Sequence, residues 1–145
     1  MDEPLQSDLD PLIGSWRLES LGITWSDTGE RWDYLGPNPV GWMMLNASGR
    51  VMFLFTKANR QAPSSDADRA GLFEAMTAYT GTVNRDGEDR FVTTVDLALN
   101  PAYRGEQVRF FARDGDRLTI WTPEQTFPQF GDRRLVVDVV WIRER

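Results

Sequence analysis

The chain has 145 residues, of which 41% are hydrophobic and 12% aromatic, so it has the length of one domain and is too apolar for a disordered segment. Its 22 acidic and 16 basic residues give a net charge of −6, which argues against nucleic acid as a partner. The absence of cysteine and histidine excludes disulfides, thiolate nucleophiles and imidazole catalysis. No acidic cluster has the spacing of a calcium loop, and we expect neither a metal nor a cofactor.

The start of the chain differs in character from the rest. Residues 1–10 are polar and acidic, without a basic start or an apolar run, so they are not expected to form a signal peptide. We therefore predict a flexible segment over residues 1–11 and one barrel domain over residues 12–145. No run approaches the roughly 18 apolar residues of a membrane-spanning helix, so we expect no membrane partner and a cytoplasmic location.

Turn signals recur every 8–15 residues, which is typical of an all-β fold. A first strand is predicted over residues 14–25 and a short one over 31–35. Residues 40–45 and 50–56 should form a hairpin around the turn 46–49. Because both faces of this hairpin are apolar, we expect its outer face to be covered by a local segment or by a second copy of the chain.

One helix is predicted, over residues 65–79. Ser65 and Asp68 resemble a capping box, and the apolar residues that follow form one stripe. Strand patterns then return in five places: 80–84, 90–99, 107–112, 117–122 and 134–143. The predicted fold is all-β, a single antiparallel up-and-down barrel of eight or nine strands with one short helix.

The two ends of the predicted barrel carry a matched pair of residues. The first and last strands of a closed barrel are neighbours, so the guanidinium of Arg143 is expected over the ring of Trp16, with Arg145 as the fallback partner. This contact would be structural and would lie at the closed end. The opposite end would then open into a hollow that can hold one small ligand.

Five stretches carry a recognisable pattern in a fixed order. They are Gly-Ser-Trp-Arg-Leu-Glu-Ser at 14–20, the block 41–51, Tyr-Thr-Gly-Thr at 79–82, Asn-Pro-Ala-Tyr-Arg-Gly at 100–105 with the strand to 111 and the following Gly-Asp-Arg-Leu-Thr at 115–119, and Trp141 with Arg143. Together, over about residues 12–144, they resemble the bacterial and fungal lipocalin-like domain family of calycin-type barrels. The resemblance implies a small-molecule cavity. Thr93 and Thr94 stand where many relatives carry a histidine, so a function that uses that histidine is not expected here.

Four polar side chains are candidates for catalysis: Tyr79, Tyr103, Arg109 and Asp138. Both tyrosines lie where the mouth would be, and each could donate a hydrogen bond to a ligand carbonyl or plug the mouth with its hydroxyl in water. Strand alternation turns Arg109 outward, where Asp96 would be its cross-strand partner. Asp138 lies between two apolar strand faces. Facing inward it would be a general acid or base with a raised pKa, and facing outward it would pair with an arginine.

Seven large apolar side chains are predicted to line the pocket, with plain core packing as the alternative for each. They are Trp25, Trp42, Met44, Phe53, Phe55, Phe127 and Phe130. The predicted function is binding of a small, largely apolar metabolite. The resemblance extends this to a cofactor-independent isomerase or cyclase of a natural-product pathway, of polyketide or terpenoid type. The alternative is a non-catalytic binding or carrier protein. A homodimer through the hairpin 40–56 is a further expectation.

Overall fold

A computed structural model describes residues 9–145, which form one antiparallel sheet closed into a barrel. The strands are β1 (Gly14–Trp25), β2 (Arg31–Trp32), β3 (Val40–Leu45), β4 (Arg50–Thr56), β5 (Thr77–Arg85), β6 (Arg90–Ala98), β7 (Gly105–Asp114), β8 (Arg117–Trp121) and β9 (Leu135–Arg143). One helix, α1 (Asp66–Ala75), and one 3₁₀ turn (Pro128–Phe130) complete the described elements. The predicted all-β barrel is confirmed.

β1 is the strand that closes the barrel. It pairs with β3 near its start and with β9 along most of its length, from Trp16 opposite Arg143 to Trp25 opposite Leu135. A bulge interrupts this ladder between Leu18 and Ser20. The short β2 pairs only with the end of β1, so eight strands form the barrel and β2 is an addition at its rim.

The helix is shorter than the sequence predicts. Ser65 caps it, since its hydroxyl accepts a hydrogen bond from the Asp68 backbone N–H at 3.1 Å, but the helix ends at Ala75. Thr77 and Tyr79 belong instead to β5, where they pair with Phe55 and Phe53 of β4. β-Branched and aromatic side chains fit a pleated sheet well, and here cross-strand packing outweighs the helical pattern. Among the described residues, no helix has the length and apolar character needed to cross a bilayer.

The closed end of the barrel is filled by Trp16, which is fully buried. Its indole N–H donates to the Leu12 carbonyl at 3.0 Å, and the Arg143 guanidinium carbon lies 4.4 Å from the ring centroid. Leu9 is also buried and bonded to the backbone of Leu12, so the compact domain already includes it. Residues 1–8 of the predicted flexible segment lie outside the described residues.

The substitution Trp16→Ala should lower the free energy of unfolding by about 3–5 kcal/mol, because it leaves a cavity at the closed end and removes the surface on which Arg143 lies. Urea unfolding followed by circular dichroism measures the loss. Trp32→Ala is the matched control, since Trp32 is 45% exposed, and it should cost much less. Equal losses in the two variants would show that Trp16 has no special role in closure.

Candidate ligand-binding site

The end of the barrel opposite Trp16 contains a cavity of about 60 Å³. Strands β1, β8 and β9 supply most of its apolar wall, through Leu21, Ile23, Ile120, Val137, Val139 and Trp141. A space of this size holds about four to six water molecules at 10–15 Å³ each. The cavity therefore has room for only a small group.

A single cationic side chain enters this cavity from β7. Arg109 is 4% exposed, and its Nη2 donates a hydrogen bond to the Tyr103 hydroxyl at 2.7 Å. Its Nη1 donates to the Val108 carbonyl, also at 2.7 Å. The amide oxygens of Gln107 and Gln125 lie farther away, each at 3.4 Å. The guanidinium is thus held in place by neutral groups.

Two phenol rings, stacked on each other, lie beside the guanidinium. The rings of Tyr79 and Tyr103 are 4.7 Å apart, and both side chains line the cavity. Burial raises the pKa of Tyr79 well above its usual value, and this outweighs the opposite effect of Arg109. The Tyr79 phenol is therefore protonated at neutral pH, and its hydroxyl interacts with Tyr103 and Arg109.

One further donor in the cavity wall is unsatisfied. The indole Nε1 of Trp141 is buried and has no hydrogen-bond partner anywhere in residues 9–145. A buried N–H without a partner is costly, and most such groups in proteins are satisfied. Trp141 follows the inward alternation of β9 together with Arg143, a signal that could have identified it as a wall residue from the sequence.

Aromatic rings cover the mouth of the cavity. Phe130, in the 3₁₀ turn, lies 5.4 Å from the ring of Trp25 and 5.2 Å from that of Tyr34. The Tyr34 hydroxyl donates to the Glu74 carbonyl at the end of α1, at 3.1 Å. Phe127 packs 6.4 Å from Tyr103. A ligand larger than a few atoms can enter only if these rings move.

The structure brings many of the sequence candidates together around this cavity. Tyr79, Tyr103, Arg109, Phe53, Phe55, Phe127 and Phe130 line it, and Trp25 packs beside its mouth. Sequence reasoning missed the aliphatic strand residues Leu21, Ile23, Ile120, Val137 and Val139, and it missed Tyr34, Thr77, Thr122 and Gln129, which also line it. The last four lie in or near loops, where strand alternation gives no signal.

Trp42 and Met44 are not wall residues of the cavity. They lie on the outer face of β3, where Met44 is 48% exposed and the Trp42 indole donates to Glu144 at 3.1 Å. Their inward neighbours are Gly41 and Met43, both buried. The hairpin is apolar on both faces, so composition could not indicate which face points inward.

The predicted outward position of Arg109 is wrong. β7 has aromatic residues on both faces, and it is Phe111, on the same face as Arg109, that is buried inside. Phe110 stacks on Trp121 on the outside, with ring centroids 6.0 Å apart. Asp96 is instead held by Arg50 at 2.8 Å, so the predicted pair of Asp96 and Arg109 does not form.

Asp138 also lies outside the cavity. It sits opposite Gly22 in the ladder of β1 and β9, and its carboxylate accepts a hydrogen bond from Arg31 Nη2 at 3.1 Å. Gly22 leaves the space that the Arg31 guanidinium occupies. The hypothesis of an inward general acid or base is therefore wrong, and the structure shows the alternative, a partly exposed ion pair. Within residues 9–145, no three acidic side chains are grouped so that they could hold a metal ion.

Comparison with known proteins identifies the family. The model of the lipocalin-like domain matches residues 13–144. The chain belongs to the lipocalin-like domain family. No curated protein matches it. Among solved structures, one described as a redesigned β-barrel is 12% identical, covers 99% of this chain and 100% of its own, and superposes with a TM-score of 0.46.

The raised pKa of Tyr79 predicts an alkaline effect on stability. In the unfolded chain the Tyr79 phenol loses its proton near pH 10, whereas in the folded protein it keeps the proton to a higher pH. The free energy of unfolding therefore keeps the full contribution of Tyr79 below pH 10 and loses it as the pH rises above that value. Urea unfolding at about pH 8 and pH 11 should show a smaller fall in Tyr79→Phe than in the unchanged protein. An identical fall in both proteins would contradict the burial of a neutral phenol.

Proposed function

We propose that this lipocalin-like barrel binds a small, largely apolar molecule in its interior cavity. The observation that carries the proposal is a mostly apolar cavity wall that includes one buried cationic group, Arg109, hydrogen-bonded to the Tyr103 hydroxyl. Ligand sites commonly combine an apolar lining with a few positioned polar groups that fix orientation. The aromatic lining residues Phe127 and Phe130 suit contact with a flat molecule.

The finer proposal is a cofactor-independent isomerase or cyclase of a natural-product pathway. A ligand carbonyl placed at Arg109 and Tyr103 would receive hydrogen bonds that strengthen as negative charge develops on its oxygen. Once the rings at the mouth have moved to enlarge the cavity, the apolar wall would hold a short polyketide-like or terpenoid-like chain in a reactive shape. No carboxylate lies among the described lining residues, so the proposed reaction is one that needs no protein base, such as a concerted ring closure.

The alternative is a carrier that binds without chemistry. It is favoured by the same lack of a base in the cavity wall, since tight binding alone needs none. The experiment that separates the two identifies the molecule retained by the protein from its native host by mass spectrometry. That molecule is then returned to ligand-free protein. A new isomer in the chromatogram supports catalysis, and recovery of the unchanged molecule supports a carrier.

Filling the cavity should abolish binding. Val137 faces the lumen and its neighbour Val136 faces outward on the same strand, so Val137→Phe and Val136→Phe are a matched pair. Cinnamyl alcohol, a neutral flat probe, should bind to the unchanged protein and to Val136→Phe, and at least tenfold more weakly to Val137→Phe. Isothermal titration calorimetry measures the three affinities. Equal binding by both variants would place the probe outside the barrel and contradict the proposal.

We also propose that the outer face of strands β3–β6 joins two copies of the chain. Met44, Met52, Leu54 and Leu97 form a contiguous apolar groove there, and their exposed fractions range from 46% to 70%. The charges at its edge are already paired within the chain, Arg50 with Asp96, so the face offers no net charge to a charged partner. The surface that fits it is a second neutral apolar face, which a second copy supplies by two-fold symmetry.

Leu97→Glu should prevent this association, because two-fold symmetry brings the new charges of both copies into one apolar contact. Leu97 is 70% exposed, so the monomer itself should fold normally. Light scattering should give twice the chain mass for the unchanged protein and the chain mass for Leu97→Glu. Ala112→Glu, at an exposed position of β7, is the control that should stay dimeric. A monomeric unchanged protein would refute the interface.

A further inference from the structure

Arg109 differs from the arginines that form ion pairs in the described part of the chain, because it is buried and has no acidic partner. Arg50 pairs with Asp96 and Arg117 with Glu19, both on the surface. Arg109 is 4% exposed, yet no acidic side chain within residues 9–145 lies at ion-pair distance from it. A buried charge without a counter-charge is expensive, and arginine cannot escape the cost by losing its proton. The protein retains this charge although its own contacts do not neutralise it.

We infer that the ligand of this cavity is a small monoanion with an apolar body, such as an aromatic or short-chain carboxylate, whose charged oxygens bind at Arg109. The inference rests on the proposed ligand-binding function and specifies the chemistry of the ligand. An anion at this place would supply the counter-charge that the described side chains do not.

The hydrogen bonds around Arg109 leave capacity for such a ligand. A guanidinium has five N–H groups, and only two short bonds are made here, to the Tyr103 hydroxyl and the Val108 carbonyl. The Tyr79 and Tyr103 hydroxyls also interact with each other, which leaves one O–H of the pair to donate to a ligand oxygen. Tyr79, stacked on Tyr103, adds a second protonated phenol. A carboxylate, which only accepts hydrogen bonds, complements a set of donors of this kind.

The surroundings limit the charge and size of the ligand. Arg109 is the only cationic side chain among the described lining residues, so a doubly charged phosphate would leave one charge uncompensated in an apolar cavity. The rest of the wall is mostly aliphatic and aromatic, which matches an uncharged body. The volume of about 60 Å³ favours a flat or short body over a long acyl chain.

The test compares cinnamate with cinnamyl alcohol, which share one carbon skeleton and differ in charge. In the unchanged protein, calorimetry at about pH 7.5 should give at least tenfold tighter binding for cinnamate. Arg109→Gln should weaken cinnamate binding at least tenfold and leave the affinity for the alcohol equal or higher. Arg109→Lys keeps the charge and should retain a preference for cinnamate. Arg117→Gln changes the net charge equally on the surface and should have no effect.

The outcomes separate this inference from the function on which it rests. Equal binding of acid and alcohol, with both lost in Val137→Phe, would overturn the anion inference and leave the cavity as a ligand site. Cinnamate binding that survives Val137→Phe, or that falls as much in Arg117→Gln as in Arg109→Gln, would also overturn it, because the anion would then sit on the surface. Failure of both probes to bind would overturn the inference and the proposed function together. Circular dichroism confirms that each variant is folded.

Discussion

The pairing of β1 with β9 is the interaction on which the rest of the molecule depends. It turns an open sheet into a barrel and removes the exposed strand edges that an open sheet would present. It also decides which residues lie inside, because one face of every strand becomes the lumen. Trp16 and Arg143 stand opposite each other at one end of this ladder, and the large indole fills the lumen there. The space that remains lies at the other end.

Closure also divides the charged residues into two electrostatic environments. The ion pairs on the outer surface, such as Arg31 with Asp138, are solvated and contribute little to stability. Arg109 lies in an interior from which water is largely excluded, where electrostatic interactions are stronger. The Tyr103 hydroxyl and the Val108 carbonyl satisfy part of its hydrogen bonding but do not cancel its charge. The positive charge of Arg109 therefore remains uncompensated inside the cavity.

Strand positions could be predicted from the sequence where turns are strong. The bounds of β1, β3 and β4 agree with the prediction. Between β3 and β4, the Asn46 side chain accepts hydrogen bonds from the backbone N–H groups of Ser48 and Arg50 and fixes the hairpin register. The predicted bounds of the later strands are close to those observed. The sequence predicts too long a helix because Thr77 and Tyr79 continue its apolar pattern. In the structure these two residues pair with β4 instead.

Which side chains point into the barrel is much harder to predict from the sequence than where the strands lie. Alternation identifies the inner face only when the outer face is polar, and β3, β4 and β7 are apolar or aromatic on both faces. Trp42, Met44 and Arg109 were all misplaced for this reason. Asp138 could not be assigned because its partner, Arg31, lies more than a hundred residues away in the chain. Such pairings depend on the closed topology and cannot be read from local sequence.

The nature of the ligand bears on whether the barrel catalyses a reaction. A donor set accelerates a reaction only to the extent that it binds the transition state more tightly than the ground state. A neutral carbonyl at Arg109 gains charge during the reaction, so the guanidinium would lower the barrier. A ligand that arrives as an anion is already stabilised, and Arg109 would then strengthen binding without speeding conversion, unless the reaction moves more charge onto the same oxygen. A buried arginine that selects a carboxylate therefore fits a carrier more directly than a cyclase. An isomerase or cyclase would need its reacting carbonyl, and not a spectator carboxylate, at Arg109.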